Sequence, residues 1–119
     1  MKLVSILCCW TVLFSFAGPT EKGLSLWQSQ FSSGGVVGLD VRTLVERKLN
    51  PAPLAQNYGS ISLENFIANT DKKTKVFVFC ESGVRSARAQ KALEEAGFKN
   101  VTNVNDWRTW NKITQGPQK

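Results

Sequence analysis

Apolar and polar positions alternate along the chain in short blocks, and the blocks predict strands and helices in turn. The run at 76–79 is continuous and apolar, which is typical of a strand covered on both faces of a sheet. The run at 36–41 is rich in β-branched residues and predicts a first buried strand. Shorter strands are predicted at 59–61 and 101–104. Helices are predicted within 21–33, from Thr43 to Arg47, at 63–69, from Ser86 to Ala96, and up to Lys112. Ser62 is predicted to cap the helix at 63–69, and Asp106 to cap the last helix. This alternation predicts an α/β fold in which a small parallel sheet is flanked by helices on both faces.

The first 17 residues have the pattern of an export signal. Lys2 supplies a positive charge, residues 3–17 are mostly apolar, and Ser15-Phe16-Ala17 offers the small residues that signal peptidase requires. The apolar run of about 15 residues is short for a membrane-spanning helix, which needs about 20. We therefore expect residues 1–17 to be a signal peptide and residues 18–119 to form a periplasmic or secreted domain without stable membrane insertion. An uncleaved anchor is the alternative.

N-terminal sequencing of protein expressed with its native N-terminus tests this expectation. We expect a soluble product that begins near Gly18, because Ala17 ends the predicted cleavage site. Intact Met1 in the membrane fraction would favour the anchor instead.

Composition leaves room for one domain with a modest core. The chain has 119 residues, of which 42% are hydrophobic. It carries 15 Lys and Arg residues against 9 Asp and Glu residues, an excess that favours small anionic ligands. The basic residues are scattered and form no stripe with interleaved aromatic residues, so nucleic-acid binding is not predicted.

The cysteine count singles out one thiol. Cys8 and Cys9 lie in the predicted signal, so cleavage leaves Cys80 without a partner for an internal disulfide. A lone cysteine in an exported protein is either buried core filler or a reactive group. The glycine, serine and arginine that follow Cys80 closely favour a reactive group.

Cys80 lies between the apolar strand 76–79 and a helical stretch. A thiol in this position faces the unpaired N–H groups and the positive dipole of a helix N-terminus, which stabilise the reactive thiolate. Ligands of parallel sheets bind beyond the carboxyl ends of the strands, where Cys80 falls. The sequence therefore predicts that Cys80 is a nucleophile.

Four segments resemble the single-domain rhodaneses, a family of thiosulfate sulfurtransferases. They are Leu39-Asp40-Val41-Arg42, Val76-Phe77-Val78-Phe79-Cys80, Gly83-Val84-Arg85-Ser86 and Gly97-Phe98-Lys99-Asn100-Val101. The resemblance covers about residues 34–112, and with the predicted export signal it is greatest to the small periplasmic rhodaneses of the phage-shock type. It implies a rhodanese-like fold for the mature domain.

Two positions depart from the family pattern. The usual Gly-His-Ile-x-Gly-Ala stretch is represented only by Tyr58-Gly59-Ser60-Ile61-Ser62, and the chain contains no histidine. Asn105-Asp106 replaces the Gly-Gly pair of the turn beside the active site. Asn and Asp tolerate a left-handed backbone best after glycine, so we expect the turn to persist beside a narrower, more polar pocket.

The resemblance implies a two-step sulfur transfer in which Cys80 becomes a persulfide and Arg85 binds the departing sulfite or lowers the thiol pKa. Backbone N–H groups around the outer sulfur would come from the substrate-binding loop, which comprises Glu81, Ser82, Gly83, Val84 and Ser86. Ser86 is also expected to cap the helix or to bond locally, and Gly83 to supply a positive φ. No cofactor or metal is implied.

Asp40 and Arg42 are given supporting roles by the same resemblance, whereas the expectation for Glu81 comes from its charge. Asp40 is expected to accept hydrogen bonds that support the loop, and Arg42 to pair with a carboxylate such as Glu46. Glu81 is expected to face outward and to weaken thiosulfate binding by repulsion, so that Glu81→Gln would raise catalytic efficiency by roughly threefold to fivefold.

The expected partners are a small anionic sulfur donor and a thiol or cyanide acceptor, and the protein is expected to be a monomer. Two other interpretations stay open. One is a catalytically weak rhodanese module that binds a partner or senses oxidation through Cys80. The other is a small-anion hydrolase or reductase, which the spacing disfavours, because Cys80 and Arg85 enclose four residues and protein-tyrosine phosphatases use a loop one residue longer.

Overall fold

The structure is a computed structural model that describes residues 20–58 and 60–115. The predicted signal peptide lies outside the described residues. The elements follow in the order α1 (Glu21–Ser32), β1 (Val36–Asp40), α2 (Leu44–Leu49), β2 (Gln56–Asn57), α3 (Ser60–Asn69), β3 (Lys75–Cys80), α4 (Val84–Glu95), β4 (Asn100–Asp106) and α5 (Trp107–Gln115). Among the residues that the structure describes, no helix combines the length and the apolar content needed to cross a bilayer.

The four strands form one parallel sheet in the order β2-β1-β3-β4. Alternate residues of β3 point to opposite faces. Val76 and Val78 pack with Phe66 of α3 and Leu93 of α4. Phe77 and Phe79 point to the other face and pack with α1 and α5. The sheet is therefore covered by helices on both faces, which confirms the predicted fold class.

Aromatic packing between α5 and β3 holds in place the strand that carries Cys80. The Trp110 ring of α5 stacks on Phe79 with a centroid distance of 5.4 Å and an interplanar angle of 12°. A Cβ atom at Gly38 of β1 would overlap the Trp110 ring, so only glycine leaves room for this close approach. The end of β3 is thus held firmly from one side by α5.

The region before α3 differs from the prediction. The strand predicted at 59–61 lies instead at 56–57, where β2 pairs with Leu39 and Asp40, and helix α3 begins at Ser60 rather than after a Ser62 cap. Gln56 and Asn57 form a short, polar, exposed edge strand, which is a common way to blunt a sheet edge. Such a strand lacks the apolar pattern on which the prediction depended.

Other boundaries shift by a few residues. Helix α4 begins at Val84 rather than Ser86, and α5 extends to Gln115. Two predicted caps are confirmed. Thr43 forms a capping box with Glu46 at the start of α2, and the Asp106 carboxylate accepts a hydrogen bond of 2.9 Å from the Thr109 N–H.

Candidate active site

The loop between β3 and α4 places Cys80 at the N-terminal end of a helix. Gly83 precedes the first residue of α4 and adopts a left-handed φ of 97°. A Cβ atom at Gly83 would lie 2.9 Å from Oδ1 of Asn105, so both the conformation and the space require glycine. The turn brings the Gly83 N–H to Sγ of Cys80, to which it donates a hydrogen bond of 3.0 Å. The predicted positive φ of Gly83 is confirmed.

Cys80 is fully buried, and its sulfur lies among hydrogen-bonding groups. Oγ of Ser86 is 3.4 Å from Sγ. Burial raises the pKa of the thiol, but hydrogen bonding with Ser86 and hydrogen bonds from the backbone N–H groups of Ser82 and Gly83 lower it, and the net pKa lies below that of an ordinary cysteine. The positive N-terminal end of the α4 dipole also stabilises a negative charge on the sulfur. The site can therefore hold negative charge on sulfur, as nucleophilic chemistry requires.

Arg85 forms a bidentate ion pair with Glu46 of α2. The two N–O distances are 2.8 Å and 2.9 Å. The hydrogen bond from Arg85, followed by the one from the Thr43 backbone, lowers the pKa of Glu46 to about 2, and the same pairing raises the pKa of Arg85. Glu46 therefore stays ionised at neutral and mildly acidic pH. The guanidinium is held beside the loop with its charge partly compensated.

Arg42 pairs with a carboxylate, as predicted, but the carboxylate is that of Asp40 and not of Glu46. The Asp40 carboxylate accepts hydrogen bonds from Nε and Nη2 of Arg42, both at 2.9 Å, and from the Arg42 backbone N–H at 3.0 Å. Both side chains are fully buried. Asp40 lies only two residues away, whereas the Glu46 carboxylate is engaged by the α2 capping box and by Arg85. Arg42 contacts Glu46 only through a hydrogen bond from Nη1 to the backbone oxygen of Glu46.

Glu81 is held against the start of α5. Nε1 of Trp107 donates a hydrogen bond of 3.3 Å to the Glu81 carboxylate, and Nη2 of Arg108 lies 3.8 Å from the same oxygen. About a third of the Glu81 side chain is exposed. The carboxylate is thus partly neutralised by Arg108, which weakens the repulsion that the sequence predicts for an anionic donor.

Two asparagines of β4 lie beside the loop, on either side of an irregularity in the strand. Val78 pairs with Asn103 and Phe79 with Asn105, so the strand carries an extra residue between them. Asn105 adopts a left-handed φ of 76°, which confirms the predicted tolerance of this turn. Asn103 donates a hydrogen bond of 3.2 Å to the Gly83 carbonyl and accepts one of 2.8 Å from the Ser86 hydroxyl. Asn103 therefore contacts both ends of the loop turn.

Comparison with known proteins identifies the family. Residues 27–112 match the rhodanese-like domain. The chain belongs to the rhodanese-like domain family. The match does not define a subgroup, so the phage-shock type stays a prediction. No curated protein shows significant sequence similarity to the chain.

Solved structures of other rhodanese-like proteins share the fold. A rhodanese-like domain protein from Staphylococcus aureus is 27% identical, with a TM-score of 0.61, and the match covers 71% of this chain and 83% of that one. A rhodanese-like domain from Anabaena is 21% identical, with a TM-score of 0.59 and coverages of 69% and 95%. A single-domain sulfurtransferase from Saccharomyces cerevisiae is 17% identical, with a TM-score of 0.54 and coverages of 70% and 81%.

The rhodanese-like domain gathers only part of the predicted site around the sulfur. Ser82, Gly83 and Ser86 act directly on Cys80, whereas Arg85 turns its guanidinium to Glu46 and Val84 is exposed at the mouth of the loop. Sequence reasoning missed Asn103 as a site residue. Its only signal was a polar side chain inside the predicted strand 101–104, next to the strand that ends at Cys80.

Proposed function

We propose that this rhodanese-like domain is a sulfurtransferase that moves a sulfane sulfur from thiosulfate, or a similar anionic donor, to a thiol or cyanide acceptor. The observation that carries the proposal is the Gly83 N–H bonded to Cys80 Sγ at the start of α4, in a setting that lowers the thiol pKa. Arrangements of N–H groups at a helix N-terminus stabilise anions without any cofactor.

In the first step the Cys80 thiolate attacks the outer sulfur of thiosulfate. A bond forms between Sγ and the outer sulfur, and the sulfur–sulfur bond of thiosulfate breaks with its electron pair leaving on sulfite. The resulting persulfide anion is stabilised by the loop N–H groups and the dipole of α4. In the second step the acceptor attacks the terminal sulfur, and the Sγ–S bond breaks to restore the thiolate. This is covalent catalysis by an activated nucleophile.

The Arg85 guanidinium does not offer both of its Nη atoms freely to a donor. Its Nη1 and Nη2 atoms are bonded to the Glu46 carboxylate. The positive end of α4 attracts the donor, and Glu46 fixes the position of the Arg85 guanidinium while compensating its charge. The sequence predicts that Arg85 binds the departing sulfite. We keep this role as a proposal for a guanidinium that is held by Glu46 of α2.

A catalytically weak module for partner binding or redox sensing is the second candidate. The observation that favours it is the complete burial of Cys80, because a donor can reach Sγ only after the atoms that cover it move. Such a module would retain the fold and the ion pairs but turn over slowly.

Intact mass of the purified protein after incubation with thiosulfate separates the two candidates. We expect the mass of one added sulfur atom, which disappears on addition of cyanide as thiocyanate forms. The Cys80→Ser variant serves as the control and should gain no mass. A wild-type mass that stays unchanged over hours would contradict the sulfurtransferase and leave the weak module.

The Arg108 contact revises the expected effect of Glu81→Gln. Because Arg108 compensates the carboxylate, we now expect kcat/KM for thiosulfate to change by less than about twofold. Arg108→Gln should lower it by roughly threefold to fivefold, since an exposed charge contributes about 1 kcal/mol or less. The double variant Glu81→Gln/Arg108→Gln should return towards the Glu81→Gln value only if the two charges offset each other.

Steady-state kinetics at low and high ionic strength measure these effects. Salt screens exposed charges, so the Arg108→Gln deficit should shrink as ionic strength rises. A gain above threefold in Glu81→Gln would show that Arg108 does not neutralise the carboxylate.

We also infer that the protein acts after export, as a relative of the phage-shock-type rhodaneses. The support is the pattern of residues 1–17, and the N-terminal sequencing described above is the test.

A further inference from the structure

The Asn103 side-chain amide has one possible orientation. The Asn105 backbone N–H can only donate, and it lies 2.9 Å from Oδ1 of Asn103. The Gly83 carbonyl can only accept, and it lies 3.2 Å from Nδ2. These two neighbours fix which end of the amide is the oxygen. Oδ1 therefore faces the Ser86 hydroxyl, at 2.8 Å.

The Ser86 hydroxyl has one proton and two neighbours that can accept it. Oδ1 of Asn103 cannot donate, so the 2.8 Å contact requires Ser86 to donate to Asn103. Sγ of Cys80, 3.4 Å from the same hydroxyl, must then be the donor, as a neutral thiol. The contacts form a closed ring that runs from the Gly83 N–H through Cys80, Ser86 and Asn103 back to the Gly83 carbonyl.

Ionisation of Cys80 breaks this order. A thiolate has no proton to donate, and its strongest new partner would be the Ser86 hydroxyl, because hydrogen bonds to charged acceptors are stronger than neutral ones. The hydroxyl can turn to sulfur only by leaving Asn103. The contribution of Ser86 to lowering the thiol pKa is therefore opposed by Asn103.

We propose that Asn103 is a positioning residue that holds the Ser86 proton away from Cys80 and thereby favours the states in which Sγ itself carries no charge. These states are the resting thiol and, if the proposed sulfur transfer holds, the persulfide, whose charge lies on the outer sulfur. Asn103 thus disfavours only the thiolate, the state that attacks the donor. The ring therefore favours the protonated thiol over the thiolate.

Charged groups around the loop are paired independently of Asn103. Arg85 is bonded to Glu46, Arg42 to Asp40, and Arg108 lies near both Glu81 and Asp106. A neutral substitution at Asn103 removes none of these pairs. The charged side chains that form ion pairs on the loop and beside it are Glu81, Arg85, Glu46, Asp40, Arg42, Asp106 and Arg108.

The test is the pH dependence of iodoacetamide alkylation at Cys80 in the full chain, followed by peptide mass spectrometry so that Cys8 and Cys9 do not contribute. Asn103→Leu removes the competing acceptor. We expect the thiolate fraction at a pH below the midpoint to rise by roughly threefold to tenfold, because one hydrogen bond is no longer lost on ionisation. Asn103→Ser is the second variant, since its side chain is too short to reach Ser86, and it should show the same direction.

Ser86→Ala separates positioning from a merely structural role. In the Ser86→Ala background, Asn103→Leu should leave the midpoint unchanged, because no hydroxyl proton remains to be directed. An unchanged or raised midpoint in both folded Asn103 variants would overturn the proposal, as would an equal shift with and without the Ser86 hydroxyl. Alkylation needs no sulfur donor, so this result stands apart from the success or failure of the sulfurtransferase test.

Discussion

Cys80→Ser is expected to reduce cyanide-dependent thiocyanate formation from thiosulfate by more than roughly a thousandfold, because the nucleophile of a covalent mechanism is lost. A serine hydroxyl at this position stays protonated at neutral pH and cannot carry a persulfide. The helix dipole and the Gly83 N–H, which favour a thiolate, do not bring an alcohol near ionisation.

The fold should survive this substitution. A serine hydroxyl can accept from the Gly83 N–H and donate to Ser86, so the buried group keeps its partners. We therefore expect a thermal unfolding midpoint close to that of the wild type. Protein that begins near Gly18 retains Cys80 alone of the three cysteines, so the wild type and Cys80→Ser are compared in that form. Thiocyanate formation at the normal rate in Cys80→Ser would refute the assignment of the nucleophile.

The first strand, the central strand and the helix after the loop were predictable from the sequence. The two strands are short runs rich in apolar residues, and the helix buries Ser86, Ala89 and Leu93 at helical spacing. Strand β2 was not predictable, because two exposed polar residues at a sheet edge owe their conformation to pairing with β1. The start of α3 moved with it.

Local features of the site were also predictable, whereas long-range pairings were not. The left-handed Gly83 and the Asp106 cap depend on neighbours a few residues away. The partner of Arg85 is 39 residues distant, and Glu46 is chosen because α2 and α4 meet there. Asn103 pairs with Val78 and so lies on the face of the sheet that α4 covers, but the sequence does not show that its amide meets the Gly83 carbonyl.

Asp40→Ala is expected to lower the free energy of unfolding by about 3–5 kcal/mol, since it leaves a buried guanidinium without its counter-ion. Arg42 lies 5.9 Å from the Phe79 ring centroid and 5.8 Å from that of Trp107, so it cannot reach water without disturbing the layer next to Cys80. Asp40→Asn, which keeps an acceptor for the Arg42 backbone N–H, should cost less.

The double variant Asp40→Ala/Arg42→Met distinguishes the loss of a counter-ion from the loss of a favourable pair. Buried ion pairs contribute little beyond what apolar residues of similar volume provide, because desolvation offsets their attraction. The double variant should therefore regain a large part of the stability that Asp40→Ala loses, although Arg42 also donates to the Glu46 backbone oxygen and that bond is lost. Urea unfolding of the wild type, Asp40→Ala, Arg42→Met and the double variant supplies the complete double-mutant cycle. A loss below about 1 kcal/mol in Asp40→Ala would mean that Arg42 finds water or another acceptor, and that the pair does not lock the end of β1 to the strand of the nucleophile.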